Sequence, residues 1–146
     1  MALRGKDRVV SMDIGIPETK LLTISKKGYG KLTPLSAYRQ QGRGGIGIKT
    51  FTITKKTGVV AAAEVVDDST EVYVVSEQAQ VLRTSLSEIS SMGRSTQGVT
   101  IFKPQPGDSV ASIACVKALD IPDETDETPA KSNGNSNGKK PVTDIS

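Results

Sequence analysis

The chain has 146 residues, enough for one domain with a core and too few to expect two. Histidine is absent, which excludes His-based acid/base catalysis and His metal sites; the single Cys115 cannot form an internal disulfide, and no apolar run approaches the length of a bilayer span. The net charge of +3 conceals a split: residues 1–119 carry 16 Lys and Arg against 10 Asp and Glu, while residues 120–146 carry 3 against 6, so a basic body suited to a polyanion precedes an acidic tail.

In chain order, Asp7-Arg-Val-Val-Ser-Met12 comes first and resembles Asp108-Ser-Val-Ala-Ser-Ile113. Residues 1–14 therefore read as the remnant of a preceding unit, which predicts a longer polypeptide or a neighbouring chain. The first full unit, residues 15–66, has strand-like runs at Leu21–Ser25, Tyr29–Thr33, Gly47–Thr54 and Val59–Val66, with turns at Lys26-Lys27-Gly28 and Lys55–Gly58. Thr33 before Pro34 reads as the N-cap of a single helical turn. The second unit, residues 67–117, repeats the pattern with runs at Val72–Ser76, Gln80–Thr84, Gly98–Lys103 and Ser109–Val116.

A shift of 51 aligns the two units without a gap and gives 11 identities over Leu21–Val65, where composition alone predicts roughly three. The matched pairs include Gly42 with Gly93, Arg43 with Arg94, Gly47 with Gly98 and Phe51 with Phe102. Duplicated units of four antiparallel strands predict an all-β, propeller-like fold. Beyond Leu119 the acidic and then Asn/Gly/Ser-rich composition cannot bury enough apolar surface to order the chain, so residues 118–146 are expected to be a disordered tail, either solubilising or competing with the partner for the basic face.

The densest local signal is Gln41-Gly-Arg-Gly-Gly-Ile-Gly47. Its glycines allow positive φ and close approach to a ligand, successive N–H groups can turn toward an anion, and Arg43 offers a fork to phosphate. Neither a P-loop ending nor a dinucleotide fingerprint is present. The second copy keeps Gly93-Arg94 and Gly98, which marks these as requirements of the fold and the additional glycines as an elaboration.

Together with Gly28-Tyr-Gly-Lys-Leu-Thr-Pro-Leu-Ser-Ala-Tyr38, Val81–Ser90 and Met92–Val99, this loop closely resembles the C-terminal domain of the DNA gyrase A protein, from about Lys6 to Val116; the related topoisomerase IV protein shares the fold. The resemblance implies a β-pinwheel, a ring of blades that exchange strands, of which this chain carries the last two in an incomplete ring. It further implies a DNA-binding fragment that bends or wraps duplex DNA to support negative supercoiling by an ATP-dependent type II topoisomerase. The expected partners are double-stranded DNA and the remainder of the gyrase A and gyrase B proteins, in the bacterial cytoplasm at the nucleoid, with no cofactor, metal, membrane or small-molecule substrate. Gln41, Arg43, Gly44, Gly45 and Gly47 match the family's glycine-rich box, whereas Ile46 stands where the box carries a basic residue.

Phosphate contacts along a curved surface carry no base information and need only cations. The candidates are Lys31, Arg39, Arg43, Lys49, Arg83 and Arg94, beside Gln41 and the loop glycines; Lys26 and Lys27 fit solvation equally well, and Arg94 fits a hydrogen bond that locks the fold. The chain is not expected to be an enzyme: Tyr29, Tyr38 and Tyr73 fall at repeat positions that read as core-facing, Asp67-Asp68 reads as a turn, and Cys115 as a buried structural thiol. A propeller-like protein-interaction module and a gene fragment without a function are the competing readings.

Overall fold

The computed structural model describes residues 2–117; the expected tail lies outside the described residues. The strands are β1 (Lys20–Ser25), β2 (Tyr29–Pro34), β3 (Val60–Val66), β4 (Thr70–Ser76), β5 (Val81–Ser85), β6 (Val99–Thr100) and β7 (Val110–Lys117). They form two antiparallel sheets, ordered β3-β1-β2-β6 and β5-β4-β7.

The repeat is visible in the hairpins. β1 turns into β2 at Gly28, whose φ of +86° is the left-handed conformation that a tight turn requires, and β4 turns into β5 at Ala79, φ +66°. The register slips between Ile24 and Ser25 in β1 and at the corresponding Val75/Ser76 in β4, against β3 and β7 respectively. β4 alternates buried and half-buried residues, with Thr70, Val72, Val74 and Ser76 on the buried face, as a period of two predicts. β1 and β2 depart from alternation because both of their faces are covered: Thr23 and Ser25 are buried alongside Leu22 and Ile24. The core is aliphatic, as composition requires, with Phe51 and Phe102 as its buried rings.

The strand between the glycine loop and the last strand behaves differently from the other three. In the second unit it shrinks to the two residues of β6 and pairs with β2 of the first unit, Tyr29 opposite Thr100 and Gly30 opposite Val99. The blade is therefore completed by its neighbour, the strand exchange that the resemblance implies. In the first unit the expected strand Gly47–Thr54 is absent: the segment is held by Phe51 in the core and by the Thr52 N–H donating to Thr96 O at 2.9 Å, without a ladder among the described residues. β-prone residues become a strand only beside a partner edge.

The expected Thr33 cap is corrected. A short 3-10 turn does occupy Leu35–Ala37, but Pro34 stands at its N-cap; Thr33 is a fully buried residue of β2 whose Oγ1 has no hydrogen-bond partner. The preceding N-terminal segment runs beside β3, with Ser11 Oγ donating to Ala63 O at 2.8 Å and the Val65 N–H donating to Asp13 Oδ2 at 2.9 Å. Asp67 and Asp68 do form the turn between the units, Asp67 Oδ1 accepting from the Ser69 N–H at 3.0 Å and Asp68 facing Lys20 at 3.2 Å.

Candidate nucleic-acid interface

β2 delivers Lys31 inward. Its side chain is fully buried, and Nζ donates to the carbonyls of Gly93 (2.7 Å), Arg94 (2.8 Å) and Thr96 (3.1 Å) and to Thr96 Oγ1 (2.9 Å), above the Phe51 ring at 5.4 Å. Burial pulls its pKa down to about 8. Lys31 is thus no phosphate contact: an ammonium enclosed by carbonyls holds the second unit's loop onto the first unit's sheet. Arg83 stays exposed but is paired, its Nε and Nη2 donating to Glu71 at 2.8 and 2.7 Å across the β4–β5 hairpin, apart from the cleft that Arg39 and Arg94 line.

The remaining cations meet on one surface. Arg39, Gln41, Gly42, Arg43 and Gly45 line an open depression of about 340 Å³. A second, also about 340 Å³, is lined by Arg39, Gly47, Ile48 and Arg94, so Arg39 belongs to both, and no carboxylate lines either among the described residues. Arg94 reaches this cleft from the second unit, its guanidinium 6.0 Å from the Tyr38 ring and Nη1 donating to Lys49 O at 3.5 Å. The locking hydrogen bond considered for Arg94 is present, yet the side chain stays half-exposed. Lys49 itself is exposed beside it.

The loop glycines divide by physical role. Gly44 and Gly47 have φ of +76° and +91°. At Gly45 a Cβ would stand 2.8 Å from Gln41 Oε1, and the Gln41 amide donates to Gly47 O at 3.5 Å, so Gln41 folds the loop over itself. Gly98 is required by the fold, since φ is +75° and a Cβ there would lie 2.6 Å from Gly30 O. Gly42 and Gly93 are not, because a Cβ at either meets nothing within 4 Å and neither has positive φ.

The tyrosines are half-buried, Tyr29 under Lys56 at 5.5 Å and Tyr38 under Arg94. Cys115 is half-buried, and burial first, then the Glu64 carboxylate, push its thiol up to about 12, which removes it as a nucleophile. Tyr38 as the platform for Arg94 was not legible in the sequence; its exchange for Ile89 signalled only that the position is apolar.

A family model described as "DNA gyrase C-terminal domain, beta-propeller" matches residues 19–67 and 70–117. The chain belongs to this family. The DNA gyrase A protein of Kosmotoga olearia is 41% identical over 118 residues, covering 80% of this chain and 14% of the relative. Its counterpart in Dehalogenimonas lykanthroporepellens is 39% identical over 120 residues, 78% of this chain and 15% of that protein, so this gyrase-family chain spans a small part of the curated relatives it matches. Among solved structures, a DNA gyrase A C-terminal domain superposes with a TM-score of 0.63 at 30% identity, covering 66% of this chain and 33% of that one. The C-terminal domain of DNA topoisomerase IV superposes with a TM-score of 0.74 over 88% of this chain and 40% of that one; at 19% identity it shows the fold alone.

Proposed function

We propose that this gyrase-family chain binds duplex DNA through its phosphates and contributes bending or wrapping, rather than chemistry, to a type II topoisomerase built with the remainder of gyrase A and with gyrase B. The observation that carries the reading is the shared cleft: Arg39 lies between Arg43 on one side and Arg94 on the other, Lys49 flanks it, and no carboxylate competes there among the described residues. Contacts of this kind position a duplex without reading its sequence.

The test is binding of a mixed-sequence duplex of about 100 base pairs as a function of salt, where each phosphate contact contributes a slope of about −0.9 in log–log form. Arg39→Ala, Arg43→Ala and Arg94→Ala should each weaken binding and lower the slope by about 1, uniformly across sequences, while Arg83→Ala leaves the slope unchanged. A wild-type chain without any salt slope would favour the protein-interaction reading.

A further inference from the structure

The loop that Lys31 holds has a second, outward side. The carbonyls of Gly93, Arg94, Ser95 and Thr96 are all engaged by donors of the first unit. Lys31 Nζ donates to Gly93 O, Arg94 O and Thr96 O, the Thr52 hydroxyl donates to Ser95 O at 3.0 Å, and the Thr52 N–H adds a bond to Thr96 O at 2.9 Å. The negative ends of four successive peptides are thus turned inward, and the buried ammonium balances them.

In a trans peptide the N–H points opposite to the C=O of the same plane. The backbone N–H groups of Arg94, Ser95 and Gln97 share their planes with the three carbonyls bound to Lys31, so they point away from Nζ. None of the three has an acceptor among the described residues, and Ser95 and Gln97 are exposed.

We infer that the backbone of residues 94–97 is itself a phosphate-contacting surface, and that Lys31 is the positioning residue that turns it outward. This rests on the reading of the chain as a DNA binder and deepens it. Backbone N–H groups contact phosphates without the help of a side chain. The surface continues the cleft, which Arg94 lines together with Arg39. Because three carbonyls converge on one atom, their N–H groups fan outward from it. That geometry meets successive phosphates of a strand rather than enclosing one ion. The second copy of the loop carries Ser95, Thr96 and Gln97 where the first has Gly44, Gly45 and Ile46, and backbone donors survive such a change.

Amide chemical shifts of the complete, isotope-labelled chain, followed as a short mixed-sequence duplex is added, test the inference. The Arg94, Ser95 and Gln97 amides should shift to saturation and return as salt is raised. Those of Leu32 and Met92, already bonded to Ser90 O and Leu32 O, should stay in place. The shifts of Ser95 and Gln97 should persist in Arg94→Ala, since they belong to the backbone. Lys31→Met should abolish them and weaken binding about tenfold. It should do so without the fall of about 1 in salt slope that loss of a charged contact gives. Lys31→Gln, which keeps a donor and should reduce the shifts, serves if Lys31→Met fails to fold. Inorganic phosphate at the same phosphate concentration should leave the amides unmoved.

A duplex that binds without moving the three amides overturns the inference and leaves the proposed function standing; absence of binding overturns both. Full shifts in the Lys31 variants overturn its positioning role, and saturation by inorganic phosphate overturns the contact with a strand.

Discussion

Lys31 shows how little a side chain's charge says about its position. Replacing it with Met leaves the Gly93, Arg94 and Thr96 carbonyls without their shared donor, which should destabilise the fold by about 1–3 kcal/mol in urea denaturation. Its lowered pKa predicts a pH signature of one sign, local and global. An unfolded lysine holds its proton to the ordinary value of 10.5, so burial of the charged form opposes folding below about pH 8, and that opposition is relieved between about 8 and 10.5. Global stability should therefore rise across this window, and the resistance of residues 93–97 to local opening with it, because an opening that exposes Lys31 must take up a proton there. The carboxylates, also held below their ordinary values, carry the same sign at acidic pH. The hydrogen bond from Arg83 to Glu71, that from Ser69 to Asp67 and that from the Val65 N–H to Asp13 hold these groups below the usual carboxylate range. Their contribution is complete above the unfolded pKa and is lost as pH falls through the folded one, so the urea midpoint should decline below about pH 4, and Glu71→Gln should flatten that decline.

At the scale of elements, the glycines give the sharpest contrast. Gly98→Ala forces a Cβ toward Gly30 O at positive φ and should cost about 1–3 kcal/mol, whereas Gly93→Ala should change the melting temperature little. The hairpins β1–β2 and β4–β5 were legible in the sequence because β-branched runs flank a turn, and the repeat supplied each with an independent copy. The segment Gly47–Thr54 was not: Ile48, Thr50 and Thr52 have the composition of a strand, but a ladder depends on a neighbouring edge that composition cannot reveal. The exposed Arg39, Arg43 and Lys49 were legible from their glycine-rich setting. Lys31 was misplaced because only the fold shows what surrounds an ammonium, as it alone shows the pairing of Arg83 with Glu71; the pairing of Lys31 with Leu82 in the repeat was the available sign that its position faces inward. Thr33 before Pro34 carried a cap signal that β2 overrode by continuing through both residues.

For the whole molecule, a unit of sequence is not a unit of stability. A polypeptide of residues 15–66 alone loses β6 from the edge of β2 and every oxygen that Lys31 donates to, so it should melt without a cooperative transition, whereas residues 15–117 should retain one; calorimetry of the two distinguishes them. The basic face has the same property, since the Arg39–Arg94 cleft is assembled from both units. Its electrostatic reach falls off over a Debye length of about 10 Å at moderate salt, so contact depends on that local assembly rather than on net charge.

The strand that crosses from the second unit to the first also bears on how such a chain can lengthen. The first unit borrows β6 from the second, and where that borrowing recurs at the 51-residue period the joint between two units is the same wherever a 51-residue stretch begins. Under such a repeat, unequal recombination that inserts or deletes one whole period preserves the β2–β6 type of joint at any phase, without a domain boundary at the cut.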